Sequence, residues 1–408
     1  MKSRAPIANA LRSTRTRLAA ALLSTLALMV GCGGGGADAG TSGMATPSGT
    51  TVVAYTQGTI TGFGSVIVNG VRFDDTAATV TDDDGSKQAL GALRLGMRVE
   101  VDSGTVDRLS ATAKAMALRF GGLVTGPVSA VDTSANTLTV MGQVVDVTTT
   151  TVFDDTLATG LSAITPGAVV EVHGLRDAAT GHIVATRVEP ESNATAYKLR
   201  GTVAALDTTA KTFSIGGAAI SYAGVAAVPT ALANGVNLRV ALATAAVSGV
   251  WQATALGVRA ARTDSLAQAH VRGAISAFTS AAAFTVDGIV VDASNAAFPD
   301  GSTGLALGAQ VEVEGTLSNG VLVATKVGLE SRHTGDDSRR FELHGAISTI
   351  DTTAKTFVLR GVTVNYGGTV AYTGGTEAGL VVGAKVEVKG GVGSTRTQVV
   401  ATKIRFES

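Results

Sequence analysis

The chain has 408 residues, of which 51 are glycine, 4% are aromatic and 16% are charged, with a formal net charge of zero. That length allows several domains, and so few charges exclude a charge-rich disordered chain. Long amphipathic helices would need more Leu, Glu, Lys and Arg, whereas Gly, Ala, Thr and Val suit short strands joined by tight turns.

In chain order, residues 1–31 read as a secretory leader. Lys2, Arg4, Arg12, Arg15 and Arg17 are basic, no acid precedes Asp38, and an apolar run extends from Leu18 to Val30. The run is shorter than the roughly 20 residues a spanning helix needs. Cys32 is the only cysteine, so no internal disulfide is possible. The segment Met29-Val30-Gly31-Cys32 resembles a bacterial lipobox, with Met29 where Leu is usual. The resemblance implies acylation of Cys32 and removal of residues 1–31, and Gly33 resembles the residue after the cysteine in lipoproteins sorted to the outer membrane. The alternative is an ordinary signal peptide with an incidental cysteine. Two or more acyl chains hold a protein stably on a bilayer. Taking the five basic residues of the leader from 32 basic against 32 acidic leaves a net charge of −5, which disfavours a nucleic-acid partner.

Residues 32–54, rich in Gly, Ser, Thr and Ala, read as a flexible tether. An internal repeat of about 70 residues follows, its copies opening at Gly58, Gly126, Gly201, Gly273 and Gly345. The copies occupy 55–120, 121–192, 197–263, 269–331 and 341–408. Each holds a strand (GTVAALD, GAISTID), a turn (TTAK, TSAN), a second strand (TFSI, TFVL), a Gly turn and a third strand. A variable stretch follows, then GAVVEVHG, GAQVEVEG or GAKVEVKG, then a last strand such as VLVATKVG. Alternation in Val-Glu-Val puts the valines on one face. Five strands per copy predict an all-β chain of five tandem antiparallel β-barrels, OB-like because the variable stretch falls between the third and fourth strands. The barrels are expected as beads on a string, some packed on neighbours, with polar linkers at 191–198, 263–270 and 330–340.

GTITGFGSVIVNGVRFDDTAATVTDDDG (58–85) with LRLGMRVEV (93–101) resembles the bacterial family called domain of unknown function 5666, and the later copies resemble divergent members. The resemblance implies secreted or lipid-anchored envelope proteins with tandem small β domains. It implies no activity and no catalytic residues.

The candidate sites are weak. Glu100, Glu171, Glu312 and Glu387 recur at one place, with Arg239 in the third copy, and read as the solvated face of an amphipathic strand. Asp82, Asp83 and Asp84 are consecutive and so diverge, unlike an EF-hand loop, and read as a hairpin turn with Gly85. FDDT at Phe73 and Phe153 reads as repeat structure. His173, His182, His270, His333 and His344 lack zinc-type spacing, and His173 and His344 read as polar surface. Gly62-Phe63-Gly64 reads as a bulge or bend rather than a dinucleotide loop, and Trp251 as an apolar strand position. No G-x-S-x-G elbow or P-loop occurs. No catalytic residue, cofactor or metal site is expected, and Cys32 is the one modified residue. The expected protein is a non-catalytic, lipid-anchored envelope protein with structural or binding repeats. The alternatives are a glycan- or protein-binding adhesin and an envelope enzyme with its site between repeats. In Asp207–Phe213 and Asp351–Phe357 the aspartate starts a turn, the lysine is exposed and the phenylalanine faces the core.

Overall fold

The computed structural model describes residues 51–258, 262–329 and 341–407. The leader, Cys32, the tether up to residue 50, His333 and the linker 330–340 lie outside the described residues. Among the described residues there are strands and three short 3-10 turns but no α-helix, so none is long and apolar enough to cross a membrane.

The ring strands of the first barrel are Ala54–Phe63, Val66–Val68, Val71–Asp74, Arg98–Ser103 and Thr112–Phe120, and a further hairpin, Thr79–Asp82 with Lys87–Gln88, pairs parallel with the last of them. The first pairs antiparallel with the second and the fourth, the second with the third, and the fourth with the fifth. The third and fifth run parallel and close the ring. The same ring recurs in the second barrel, the third, the fourth and the fifth. This is the OB-like barrel. An odd number of strands cannot close a ring with every neighbour antiparallel, so one pair must be parallel.

The repeated hairpins have a local cause. Asp207 Oδ1 accepts the N–H groups of Thr209 and Ala210, both at 2.8 Å, and Asp351 Oδ1 those of Thr353 and Ala354, both at 2.9 Å. Lys211 and Lys355 follow at φ +56° and +55°, exposed, and Phe213 and Phe357 are buried. Between the second and third strands, Asn69-Gly70, Met141-Gly142, Asp287-Gly288 and Arg360-Gly361 each have two positive φ angles, as a type I′ turn requires. The side chain at the first position of that turn lies over the glycine that opens the copy. A Cβ on Gly58 would stand 2.0 Å from Asn69 Oδ1, and one on Gly126 2.1 Å from Met141 Sδ. The opening glycine is therefore room for the hairpin tip.

The barrels are joined rather than strung. Ala54–Gln57 of the first barrel pairs parallel with Gln268–Val271 of the fourth. Gly62 and Phe63 pair parallel with Glu342 and Leu343 of the fifth. Lys198 and Leu199 of the third barrel pair antiparallel with Thr125 and Val124 of the second. The stretch 263–270, expected as a linker, thus enters a strand at Leu266. The cores follow the seams. Ile60, Phe63 and Phe73 of the first barrel pack in one cluster with Leu343 and Phe357 of the fifth. The second and third barrels share another, against which Trp251 packs, edge-on to Tyr197. The fourth has its own core, which Tyr55 of the first barrel enters.

Gly62-Phe63-Gly64 is a bend, as expected: the ladder to the second strand shifts register between Ile60 and Gly62. A Cβ on Gly62 would stand 2.1 Å from the backbone oxygen of Glu342, so the glycine also admits the fifth barrel. Gly62→Val should destabilise the protein by about 1–3 kcal/mol through this overpacking, seen as a lower Tm by calorimetry. Gly91→Ala, whose Cβ meets nothing within 4 Å, should leave Tm unchanged.

Candidate functional site

The repeated glutamates do not form a solvated face. They sit on the fourth strand of their barrels, where the neighbouring first and fifth strands bring polar groups beside them. Arg119 Nη1 donates to Glu100 at 3.3 Å, and His270 Nε2 lies 2.5 Å from Glu312. Glu387, largely buried, takes Arg405, with Lys389 at 3.4 Å. Glu171 accepts the Gly122 N–H at 3.0 Å. Arg119 and Arg405 stand opposite their glutamates on the fifth strand, whereas His270 comes from the first strand and Gly122 from the segment before it, so inspection of the fourth strand alone could not show them.

Several polar positions bridge barrels. Arg239, which replaces the glutamate in the third barrel, reaches Asp84 of the first at 3.1 Å. Lys198 meets Asp84 at 2.5 Å and Arg200 meets Asp83 at 2.7 Å. The Asp82–Asp84 turn is indeed a hairpin tip: Asp82 Oδ1 accepts the N–H groups of Asp84 and Ser86. Its other two carboxylates are directed at the third barrel's cations. Arg98 of the first barrel donates to Asp287 of the fourth at 2.6 Å, and Arg72 pairs with Glu342 of the fifth. Arg262 joins Asp102 at 2.8 Å and lies over the Tyr55 ring. In both FDDT segments the first aspartate caps a turn, Asp74 to Thr76 and Asp154 to Thr156.

A cleft of about 230 Å³ lies where the first, second and fifth barrels meet, lined by Arg94, Phe153, Asp154, Asp155, Arg187 and Phe341 among others. Arg187 Nη2 donates to Asp154 at 2.9 Å, and Thr363 Oγ1 donates to Asp155 at 2.7 Å. Burial raises the Asp155 carboxyl above its ordinary pKa, against the Thr363 bond that lowers it.

Beside this cleft, His173 is fully buried rather than on the surface, because Arg187 and the carboxylates of Glu171 and Glu189 close over it. Burial raises the Glu171 carboxyl. Burial would raise Glu189 as well, but the His173 ring and the Arg187 guanidinium bring it down to about 2. His344 is half-buried, its ring nitrogens 2.7 Å from Glu342 and 2.8 Å from Glu407. His182 is 3.1 Å from Asp146. Each described histidine thus faces a carboxylate. The spacing rules for zinc ligands look for further His and Cys and so miss this, because the partners are carboxylates, on the same strand for His344 with Glu342 and across strands for His270 with Glu312.

Fold and side chains together define a multi-barrel β protein whose charged side chains pair both within its barrels and across their seams. The chain belongs to the family described as Domain of unknown function (DUF5666), whose profile matches residues 57–112, 125–189, 272–328 and 344–405, more than half of the chain. These segments fall in the first, second, fourth and fifth barrels. The third lies outside them and keeps the ring while replacing the glutamate by Arg239. Among solved structures the chain is similar to Drosophila Unr CSD456, at 12% identity over 52% of this chain and 98% of that one, with a TM-score of 0.15. At that score the likeness carries no weight, and the OB-like assignment rests on the ring order. No curated protein matches the sequence.

The bridge between the first and third barrels has a pH dependence. Burial would raise Asp84, but Lys198, Arg239 and Arg200 outweigh it and hold the carboxyl below its ordinary 3.8. A depressed carboxylate stabilises the fold above its unfolded pKa and loses that contribution as pH falls through the folded one. Asp84→Asn should therefore lower Tm at neutral pH, modestly because the pair is partly exposed. It should also lose less further stability than the natural chain between about pH 5 and about pH 3, as read from Tm against pH.

Proposed function

We propose that this is a non-catalytic, lipid-anchored cell-envelope protein whose five barrels act as one rigid structural or binding body. The observation that carries the reading is the pairing of charged side chains between barrels, as in Arg98 with Asp287 and Arg239 with Asp84. Side chains held in such pairs set the arrangement of the barrels and are not displayed to a substrate. The leader, Cys32 and the tether of residues 32–54 support an anchor on the outer membrane, facing the periplasm or the cell surface. The partners in this reading are the membrane, through Cys32, and an envelope protein or glycan.

Cys32→Ala should move the protein from the membrane fraction to the soluble one and abolish incorporation of labelled fatty acid. Retention on the membrane would reject the anchor.

A second reading is favoured by the cleft between the first, second and fifth barrels, where Asp154, Asp155, Arg94 and Arg187 line one concavity. It makes the protein an envelope enzyme with its site between repeats, set against a glycan- or protein-binding adhesin with contacts in the variable loop of each barrel. Asp154 already holds Arg187, which favours binding over acid–base chemistry there. Purified residues 50–408 should show no hydrolytic turnover of glycosidic, ester or peptide substrates. Turnover abolished by Asp155→Asn would instead establish the enzyme reading.

A further inference from the structure

We propose that Glu171, His173 and Glu189 form a site for a divalent transition-metal ion of the zinc class. Glu171 and His173 lie on the fourth strand of the second barrel, Val169–Arg176, and Glu189 on the fifth, Ile183–Pro190. The strands are antiparallel, with Glu171 directly opposite Glu189 and His173 opposite Arg187. The strand period of two puts Glu171 and His173 on the same face. One ligand atom from each of the three lies within 4.8 Å of the other two.

The distances suit an ion better than hydrogen bonds. His173 Nε2 is 3.4 Å from Glu171 Oε1 and 3.4 Å from Glu189 Oε1. Other imidazoles of this protein approach carboxylates much more closely, at 2.7 Å for His344 with Glu342 and 2.5 Å for His270 with Glu312. Donor atoms bound tetrahedrally at about 2.0–2.1 Å stand about 3.4 Å from one another. The His173 side chain is fully buried, and neither ring nitrogen has a hydrogen-bond partner among the described residues. Buried polar atoms are seldom left so, and an ion between the three donors would satisfy Nε2.

The surroundings orient the two carboxylates. Arg187 Nε donates to Glu189 Oε2 at 2.8 Å, which leaves Oε1 toward His173. The Gly122 N–H fixes Glu171 Oε1 at 3.0 Å. Such supporting bonds are the usual companions of metal ligands. The side chains of Glu171 and Glu189 remain 22% and 15% exposed, so an ion and a water ligand can enter from that side. One imidazole and two carboxylates suit Zn²⁺ or Co²⁺, whereas Ca²⁺ takes six to eight oxygens. The group Glu342, His344 and Glu387 has the same composition, but Arg72, Lys389 and Arg405 already occupy its carboxylates. It is an ion-pair network and serves as the internal control.

The test titrates Co²⁺ into the full chain after metal is removed with a chelator. It follows the visible absorption that low-coordinate Co²⁺ acquires, with Zn²⁺ as competitor and circular dichroism to confirm folding. One saturable equivalent is expected in the natural chain. His173→Gln should weaken it by about 100-fold or more, Glu171→Gln by about tenfold or more, and Glu342→Gln not at all. If His173→Gln does not fold, Glu171→Gln decides. The proposal is overturned if the folded natural chain shows no saturable binding. It is equally overturned if binding survives the folded His173 and Glu171 variants, or is lost to the same degree in Glu342→Gln.

Discussion

The open edge of the first strand is the constraint on which this structure depends. In each five-stranded ring the first strand pairs with the fourth along one half and with the second along the other. Each half therefore keeps one unpaired edge. Backbone N–H and C=O groups there must find water or another strand. All three strand-to-strand seams among the described residues use that edge. The fourth-paired half of the first strand in the first barrel takes the fourth barrel, and its other half takes the fifth. The corresponding halves in the second and third barrels take each other. The first barrel is thus central because both halves of its first strand are paired twice.

Once backbone edges bring barrels together, side chains near the edges are forced close to one another, and charge decides which approaches are tolerated. Arg98 with Asp287 and Arg200 with Asp83 lie at such places. Ion pairs that are partly buried add little net stability, because desolvation offsets the attraction, yet removing one partner is costly. Their effect is to favour one arrangement of five similar barrels over others that would leave a charge unpaired. The third barrel illustrates this. It departs from the family pattern, and the position where its sisters carry glutamate holds Arg239, turned toward Asp84. A glutamate there would meet an acidic turn.

The seams also create what the separate barrels lack. The 230 Å³ cleft needs three barrels to exist. His173 stands where other copies have Glu314 or Lys389, and those are partly exposed while His173 is buried. A residue with nothing unusual about it in the repeat alignment is thus fully buried, beside two carboxylates and Arg187 of its own barrel.

The sequence by itself determined everything that depends on neighbours along the chain. The Asp-started turns at Asp207 and Asp351, the buried Phe213 and Phe357, the glycine turns and the alternating Val-Glu-Val strands are local matters of dihedral angle and period. Five of these units in a row made the OB-like ring legible, and the leader with Cys32 made an anchor the natural expectation. Tertiary structure alone decided the rest. The parallel closure follows from ring parity, which no single strand carries. The partners of Glu171, Glu312 and Glu387 come from strands set beside them only on folding, and those of Arg98 and Arg239 from other barrels. Polar surface and polar seam have the same residue types at the same period, so only the packing of one barrel on another could separate them.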